Sequence, residues 1–354
     1  MFITLEKHDL QFIKPAKTSR GEYIEKPAYL LWLNHENFKV CGEASPLSDL
    51  SIDGKINFFD ILAPYEHKNL AISDLQNILD DWKSFPTLRF ALFAALEKAK
   101  TQLQKLQTNN TPSEPNVWVD NAFTKSNFGM KINGLVWMND IDSMYEEAIS
   151  KINAGFSCIK IKVGALDFDS ECRLIEKIRN QYNPFKIELR LDANGGFKND
   201  DALLQIKELS RFSIHSLEQP IQAGQWEMMS EICAKSQIDI ALDEELIGIP
   251  ESQIQTLLKQ ISPQYIILKP TLLGGFDICD TWIECAEKNG IGWWSTSALE
   301  GNIGLADIAQ WVSKHSPSMP QGLGTGSLFV KNFDQSTIVR GENIFYLNPK
   351  TPTN

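Results

Sequence analysis

Charged residues recur at a regular spacing in the second half of this chain, where they interrupt one apolar run after another. Asp192, Glu218, Asp243 and Lys269 follow one another at intervals of 26, 25 and 26 residues. Lys162 ends the apolar run that comes before Asp192. A strand with its following helix and loops is about this long in a barrel of alternating strands and helices. The charges therefore hold the same place in successive units, at the carboxyl end of each predicted strand.

Short apolar runs alternate with amphipathic segments from about residue 131 onward. The runs and the clearest helical patterns between them are at 132–137, 158–162, 187–191, 214–217, 238–242, 265–268 and 291–294, and at 167–181 and 201–209. This alternation predicts parallel strands connected by helices. An open doubly wound sheet and a closed barrel both satisfy it, but the dinucleotide-binding pattern G-x-G-x-x-G does not follow the first run.

The charges at the strand ends favour the closed barrel. In a barrel the carboxyl ends of all strands converge on one face, which is where active sites lie. In an open sheet the same ends would be spread along an edge, and five charges in phase would be harder to explain. The sequence therefore predicts an α/β barrel with a charged site in its mouth.

Residues 1–112 have a different pattern, which predicts a separate α+β domain. Its β-rich stretches are followed by helical patterns, and these are at 3–13, 28–33 and 38–43, then at 72–83 and 86–106. Residues 15–21 contain proline and glycine and predict a polar loop between the first two strands. Residues 107–116 are polar with two prolines and predict a surface linker.

The composition argues against several classes of partner. The 354 residues include 34 Lys and Arg against 45 Asp and Glu, a formal net charge of −11, so neither nucleic acid nor an anionic membrane is expected. The longest apolar run, residues 90–96, is far shorter than the roughly 20 residues of a membrane span. The first residues show no basic stretch followed by an apolar one. We therefore expect a cytoplasmic protein with reduced cysteines, and the sequence leaves its oligomeric state open.

Three carboxylates in one barrel mouth would repel one another unless a cation neutralised them. Asp192, Glu218 and Asp243 are these carboxylates, and the chain has no His-x-x-x-His pair of the kind that binds zinc. Because oxygen ligands suit hard divalent ions, we predict one bound Mg²⁺, for which Mn²⁺ could substitute.

Two lysines share the barrel interior beside this predicted ion. Lys160 and Lys162 are two residues apart on one strand, so their side chains point the same way. Each ammonium group disfavours protonation of the other, which predicts a lowered pKa for one of them and a base that works near neutral pH. Lys269 would face Lys162 across the barrel, with the α-carbon of a bound carboxylate substrate between them. The predicted chemistry is removal of that α-proton, with the ion stabilising the enediolate.

Taken together, these segments resemble the enolase superfamily in its muconate-lactonising subgroup. The matching segments are Lys160-Ile161-Lys162, Asp192-Ala193-Asn194, Glu218-Gln219-Pro220, Asp243-Glu244 and Lys269-Pro270. The resemblance extends over nearly the whole chain. It implies a modified TIM barrel, (β/α)7β, in residues 113–327, and an α+β capping domain in residues 1–112 with a C-terminal return at 328–354.

The resemblance also implies roles for individual residues. The Mg²⁺ ligands would be Asp192, Glu218 and Asp243. The catalytic lysines would be Lys162 as acid and base, Lys160 beside the substrate carboxylate, and Lys269 on the opposite face. The supporting residues would be Asn194 and Glu244, which orient the ligands. Apart from the resemblance, Arg190 points into the barrel with Asp192 by the i, i+2 relation, which favours an internal ion pair that is structural or supports the ligands.

Two positions depart from the pattern that is usual in this family. Glu245 follows Asp243-Glu244 where a serine is common, and Gln219 stands where an acidic residue is more usual. Neither change removes an implied metal ligand.

Within the subgroup, the local sequences look most like the o-succinylbenzoate synthases. The similar segments are residues 18–21, 269–275, 295–304 and 321–329. That family dehydrates 2-succinyl-6-hydroxy-2,4-cyclohexadiene-1-carboxylate in menaquinone biosynthesis, which implies a carbon–oxygen lyase with a small carboxylate substrate. The candidate substrate contacts are Arg20 in the polar loop, where it would form part of a lid, and Ser295 and Ser297 after the seventh strand.

Two alternatives stay open at this point. An N-acylamino acid racemase or a dipeptide epimerase of the same superfamily would use the same lysines and ion, so only the pocket loops would distinguish it. Residues 322–329 contain no acidic residue to hold a substrate amine, which counts against the dipeptide epimerase. A non-catalytic barrel would be expected to have lost a ligand or a base, whereas all six positions are filled.

Overall fold

A capping domain and a barrel make up the computed structural model, which describes residues 1–108 and 116–347. Most of the predicted linker at 107–116, and with it the predicted boundary at residue 112, lies outside the described residues. Within the described ranges, no helix is both long enough and apolar enough to cross a membrane.

The capping domain consists of three antiparallel strands packed against helices. Its strands pair in chain order and are β1 (Phe2–Thr18), β2 (Gly21–His35) and β3 (Phe38–Ala44). Its helices are α1 (Phe58–Leu62), α2 (Ile72–Asp81) and α3 (Pro86–Gln107). Helix α3 begins with a proline, whose missing N–H suits a first turn. It buries Leu88 and Leu92 in one apolar cluster with Leu31 and Val40 of the sheet, which confirms the predicted α+β architecture.

The predicted polar loop at 15–21 is wrong, because both strands continue through it. β1 pairs with β2 as far as Thr18 opposite Gly21, so only Ser19 and Arg20 form the turn. The register shifts between Gln11 and Ala16, and Pro15 lies inside this bulge. Since proline has no N–H to donate, a bulge on an edge strand accommodates it without loss of a ladder hydrogen bond. The result is a long hairpin that carries Arg20 at its tip.

The second domain is a barrel of parallel strands with helices outside. It begins with the two-residue strand β4 (Met130–Lys131). Seven described strands then pair in chain order: β5 (Gly134–Val136), β6 (Cys158–Lys162), β7 (Glu188–Asp192), β8 (Ser216–Glu218), β9 (Asp239–Leu242), β10 (Tyr265–Leu268) and β11 (Gly292–Ser295). The helices are α4 (Ile141–Asn153), α5 (Phe168–Gln181), α6 (Asn199–Leu209), α7 (Trp226–Lys235), α8 (Glu251–Ile261), α9 (Pro270–Leu273), α10 (Phe276–Lys288) and α11 (Asn302–Lys314). The seven predicted runs match β5–β11 to within two residues.

A short eighth segment closes the barrel. Gln321 bridges Ile132, and Gly322 bridges Thr296, both in parallel pairing. The Gln321 N–H donates to the carbonyl of Lys131 at 2.9 Å, and the Gly322 N–H donates to that of Ser295 at 2.8 Å. These contacts join the two ends of the seven-stranded sheet, which confirms the predicted (β/α)7β barrel.

The residues after the barrel contact both domains. The Ile13 N–H donates to the Leu328 carbonyl at 2.8 Å, and the Val330 N–H donates to the Gln11 carbonyl at 2.9 Å. The hairpin of β12 (Thr337–Arg340) and β13 (Asn343–Tyr346) pairs instead with β4. Residues 328–330 therefore lie on strand β1 of the capping domain, whereas residues 337–346 lie on the barrel domain.

An apolar cluster joins the two domains at the barrel mouth. Phe12 and Leu47 of the capping domain pack in it with Leu272, Leu299 and Phe329. Removal of these side chains from water favours docking of the cap over the strand ends.

Gly42 in β3 lies so close to helix α3 that no side chain fits there. A Cβ atom at this position would lie 1.9 Å from the Ala91 carbonyl oxygen and 2.7 Å from its carbon. We therefore expect Gly42→Ala to push β3 away from α3 and to lower the free energy of unfolding by about 1–3 kcal/mol, measured by urea denaturation. Gly324→Ala is the matched control, because its nearest neighbours would be at 3.5 and 3.6 Å. Equal stability of the two variants would contradict this account.

Candidate active site

The strand ends bring the predicted charged residues together in the barrel mouth. Lys162 ends β6 opposite Asp192, which in turn lies opposite Glu218 at the end of β8. Asp243 and Lys269 directly follow β9 and β10. All five residues are buried, with at most 9% of the residue surface exposed. Charges this deeply buried must be neutralised by one another or by a bound ion.

Lys160 bridges two of the carboxylates. Its Nζ lies 2.7 Å from Glu218 Oε1 and 2.8 Å from Asp192 Oδ2. Burial acts to lower the pKa of Lys160, but Asp192, Glu218 and Asp243 outweigh burial and raise it. Lys160 therefore stays an ammonium ion.

Lys162 has the opposite balance. Its Nζ donates to Asp192 Oδ2 at 2.6 Å and to Asn194 Oδ1 at 2.7 Å. Burial lowers the pKa of Lys162; Asp192 acts against this effect, and the charge of Lys160 adds to it. The i, i+2 spacing of the two lysines predicts a lowered pKa for one of them, and Lys162 is that one.

Lys269 lies in an ion pair with Asp243 Oδ2. Burial acts to lower the pKa of Lys269, but the charges of Asp243 and Glu244 raise it. The two lysines that are predicted to face each other therefore differ: Lys269 holds its proton firmly, whereas Lys162 releases its proton more easily.

The carboxylates also have unequal surroundings. Burial and the charge of Asp192 raise the pKa of Glu218 well above its usual range. Burial acts the same way on Asp192, but Lys160 and Lys162 hold its pKa well below its usual range. Glu218 Oε2 accepts no hydrogen bond from the described residues, although Lys160 Nζ lies 2.6 Å away. More positive charge at this carboxylate would be stabilising.

Asp192, Glu218 and Asp243 fit a hard divalent cation by their chemistry. They supply only carboxylate oxygens, the ligands that Mg²⁺ prefers, and they are almost wholly buried. The described residues contain no three acidic, histidine or cysteine side chains already arranged around one point. The ammonium groups of Lys160 and Lys162 lie among these oxygens, so a bound cation would require them to move aside.

A chain of contacts links the hairpin tip of the capping domain to Lys162. Arg20 forms an ion pair with Glu244 Oε1, which also accepts a hydrogen bond from Asn194 Nδ2 at 3.0 Å. Asn194 Oδ1 accepts from Lys162. The structure thus brings three residues that the sequence singled out, Arg20, Asn194 and Glu244, to the same side of the site.

The two departures from the family pattern contact each other. Gln219 Nε2 donates to Glu245 Oε2 at 3.1 Å, and Gln219 Oε1 accepts from the Asp243 N–H at 3.1 Å. Glu245 Oε1 also accepts from the Gly224 N–H at 2.7 Å. The pair therefore holds the backbone of Asp243 in place.

Six of the predicted residues do not line the cavity that the described residues form above the lysines: Asp192, Glu218, Asp243, Glu244, Arg190 and Ser295. Arg190 forms its internal ion pair with Glu188 at 2.7 Å and donates to the Pro320 carbonyl, two residues deeper in the barrel than Asp192. Ser295, a predicted substrate contact, donates its hydroxyl to the Leu268 carbonyl at 3.0 Å and is fully buried. It does not line the cavity that the described residues form, because its hydroxyl joins β11 to β10.

One cavity opens above the lysines, between the capping domain and the barrel. The predicted residues that line it are Arg20, Lys160, Lys162, Asn194, Lys269 and Ser297. Further lining residues, which the sequence did not single out, include Tyr23, Leu50, Asn133, Trp137 and Thr296. These residues carry no charge and recur at no fixed spacing, so no sequence signal marked them as part of the site. The cavity encloses about 660 Å³ of space, part of it open to solvent.

Known proteins resemble this chain over its barrel and over its whole length. Residues 143–335 match the family described as enolase C-terminal domain-like. The o-succinylbenzoate synthase of Desulfotalea psychrophila is 40% identical, with 96% of this chain and 98% of that protein covered. The crystal structure of MenC from D. psychrophila matches with a TM-score of 0.82 at 36% identity, covering 98% and 99% of the two chains. A hydrophobic dipeptide epimerase of Enterococcus faecalis is 29% identical over 47% of this chain and 50% of that protein.

Loss of Lys160 would leave two buried carboxylates without their shared partner. We expect Lys160→Met, in the presence of EDTA, to lower the free energy of unfolding by about 3–5 kcal/mol, because an unpaired charge remains buried. Urea denaturation measures the change. Lys83→Met is the control, since the Lys83–Glu251 ion pair is exposed and its loss should change stability by less than about 1 kcal/mol. Similar stability of the two variants would show that Lys160 does not neutralise the site.

Proposed function

The chain belongs to the enolase superfamily, and we propose that within it the chain acts as an o-succinylbenzoate synthase of menaquinone biosynthesis. The reaction is the dehydration of 2-succinyl-6-hydroxy-2,4-cyclohexadiene-1-carboxylate to o-succinylbenzoate and water. Similarity to an o-succinylbenzoate synthase over nearly the full length of both chains supports this reaction over others in the superfamily.

The structural observation that carries the proposal is the placement of two unlike lysines in one cavity. Lys162 and Lys269 both line it, with lowered and raised pKa values respectively. A base on one side and a fixed positive charge on the other are what removal of a proton next to a carboxylate requires.

Lys162 is the proposed base. In its neutral form it takes the proton from C1 of the ring, next to the carboxylate, and the electron pair passes into the carboxylate as an enediolate. The resulting ammonium then gives its proton to the hydroxyl that leaves C6 on the same face, so one residue serves both steps of a syn elimination. Asn194 accepts a hydrogen bond from Lys162 Nζ and holds it in position.

Lys269 is proposed to stay protonated and to stabilise the negative charge that develops on the enediolate. Lys160 adds a second fixed positive charge beside the substrate carboxylate. Departure of the hydroxyl completes an aromatic ring, which makes the second step favourable.

Asp192, Glu218 and Asp243 are the proposed ligands of a divalent cation, Mg²⁺ by preference. Members of the superfamily generally use Mg²⁺, and Mn²⁺ is expected to substitute because it takes the same oxygen ligands. When bound, the ion would supply positive charge next to the substrate carboxylate. Gln219, Glu244 and Asn194 would orient these ligands through the hydrogen bonds described above.

The substrate contacts are proposed from the cavity wall. Arg20 lies at the tip of the capping hairpin and lines the cavity, where its guanidinium group suits a carboxylate of the substrate. Ser297 lines the same cavity, whereas Ser295 does not and is no longer a candidate. We place the enzyme in a reducing compartment such as the cytoplasm, because all six cysteines are free thiols.

Racemases and epimerases of the superfamily are the second candidate, because two lysines on opposite faces would also serve an α-carbon inversion. A dipeptide epimerase is similar to about half of this chain, which is compatible with this activity. Among the described residues, the cavity lining includes no acidic side chain that would hold a substrate amine, which counts against a dipeptide epimerase.

Supplying the cyclohexadiene substrate tests the proposed reaction directly. We expect o-succinylbenzoate to appear by ultraviolet absorbance with Mg²⁺, to stop on addition of EDTA, and to resume when Mg²⁺ or Mn²⁺ is added back. Absence of product, or product formation that EDTA does not change, would contradict the proposal.

The racemase alternative has its own measurement. N-succinyl amino acids are incubated with the enzyme in D₂O, and incorporation of deuterium at the α-carbon is followed by NMR. Fast exchange combined with negligible dehydration would favour the racemase.

Substitution of the proposed base should abolish turnover. We expect Lys162→Ala to lower kcat by at least about 10³-fold, since both proton transfers depend on this side chain. Circular dichroism checks that the variant is folded. Lys235→Ala, on the outer face of α7, serves as the control and should keep normal activity. Near-normal activity of Lys162→Ala would show that another residue is the base.

A further inference from the structure

The loop between β11 and α11, residues 296–301, forms one wall of the cavity and has a strained backbone. Ser297, Ala298 and Leu299 line the cavity. Leu299 has a φ of +63°, a left-handed conformation that is unfavourable for a residue with a branched side chain. Surrounding groups must hold the loop in this conformation.

Lys26, in strand β2 of the capping domain, supplies part of this restraint. It is 3% exposed, and its Nζ donates to the carbonyl oxygens of Ala298 at 3.1 Å and Leu299 at 3.0 Å. A third hydrogen bond, at 2.8 Å, goes to the carbonyl of Ser45 in the capping domain. The Lys26 ammonium group therefore links two consecutive peptide groups of the cavity wall to the capping domain by hydrogen bonds.

Glu43, in strand β3, holds the other end of the loop. Its carboxylate oxygens accept from the Gly301 N–H at 2.5 Å and from the Gly304 N–H at 2.8 Å. These N–H groups lie at the start of α11, where backbone N–H groups have no partners within the helix. A carboxylate of the capping domain thus caps a helix of the barrel, where negative charge is also favoured by the helix dipole.

Glu300 completes the network from the barrel side. It accepts hydrogen bonds from the Ser297 hydroxyl at 2.6 Å and from the Ala298 N–H at 2.9 Å. Burial lowers the pKa of Lys26 to about 8 and raises the pKa of Glu43 to about 7. Burial disfavours both charged forms, and the hydrogen bonds to the loop and to the start of α11 offset this cost.

We propose that Lys26 and Glu43 are positioning residues for substrate recognition, because they fix the loop 296–301 in the conformation that Ser297 and Leu299 need to meet the substrate. Neither residue lines the cavity. The inference rests on the proposed function and deepens it, since it assigns substrate affinity at this wall to contacts made from another domain.

The proposed base and the loop 296–301 are held in place by different residues. No hydrogen bond among the described residues joins Lys26 or Glu43 to Lys162, which is held by Asp192 and Asn194. Relaxation of the loop should therefore weaken substrate binding and leave the chemical step largely intact. Such a change appears in KM more than in kcat.

The variant Lys26→Met keeps the length of the side chain and removes its three hydrogen bonds. We expect KM for the cyclohexadiene substrate to rise by about tenfold or more, while kcat changes by less than about threefold, because the loop shifts without moving the lysines. The Kd of the product, o-succinylbenzoate, measured by calorimetry, should rise by a similar factor.

Lys98→Met is the matched control. Lys98 is 1% exposed, lies in α3 of the capping domain, and joins it to α11 through Asp307 at 2.8 Å, as Lys26 joins the cap to the loop. It makes no described contact with residues 296–301. We expect it to lower the melting temperature as Lys26→Met does, with KM unchanged.

Hydrogen exchange followed by mass spectrometry tests the loop independently of turnover. Exchange in the peptide covering residues 296–304 should be about tenfold faster in Lys26→Met than in the native protein, and unchanged in Lys98→Met. If Lys26→Met does not fold, Lys26→Met combined with Glu43→Gln removes one charge of each sign and is measured in its place, with the same expectation.

The inference is overturned if KM and the exchange rate of this peptide stay at their native values, or if Lys98→Met raises KM equally. A native enzyme that does not dehydrate the substrate would refute the proposed function instead, and the exchange rates alone would then decide whether the capping residues hold the loop.

Discussion

Neutralisation of buried carboxylates in the barrel mouth is the constraint on which the rest of the site depends. Four acidic groups meet four basic groups there: Asp192, Glu218, Asp243 and Glu244 against Lys160, Lys162, Lys269 and Arg20. An arriving divalent cation would take over part of this neutralisation and free ammonium groups to face the substrate carboxylate. Ion and substrate would then bring opposite charges, which keeps the buried site close to neutral at each stage.

The site is complete only where the two domains meet. The barrel supplies the lysines and carboxylates, because parallel strands all end on one face. The capping domain supplies Arg20 and Tyr23 on its hairpin, and through Lys26 and Glu43 it also holds a barrel loop in place. The apolar junction around Phe12 and Leu299 keeps the cap over the strand ends. Residues far from the lysines can therefore affect substrate binding.

Much of this arrangement could be predicted from the sequence, because the strand ends repeat at a fixed interval. That interval placed Asp192, Glu218 and Asp243 on one face, and the i, i+2 relation placed Lys160 beside Lys162. Predictions from local sequence patterns were wrong where contacts between distant parts of the chain determine the structure. Pro15 and Gly21 indicated a loop, but a bulge let the strands continue, and Ser295 turned inward to a neighbouring strand. The contacts of Lys26 and Glu43 join residues more than 250 positions apart, and no local pattern predicts them.

The short segment that closes the barrel also affects how the chain folds. Gln321 and Gly322 join the two ends of the barrel sheet, and only a few residues later Leu328 to Val330 pair with strand β1. Strand β1 therefore pairs with residues that lie more than 300 positions away in the sequence. Contacts between such distant residues slow folding. Before these residues dock, the outer edge of β1 offers unpaired backbone groups to other chains, so partly folded molecules would be the species most prone to aggregate.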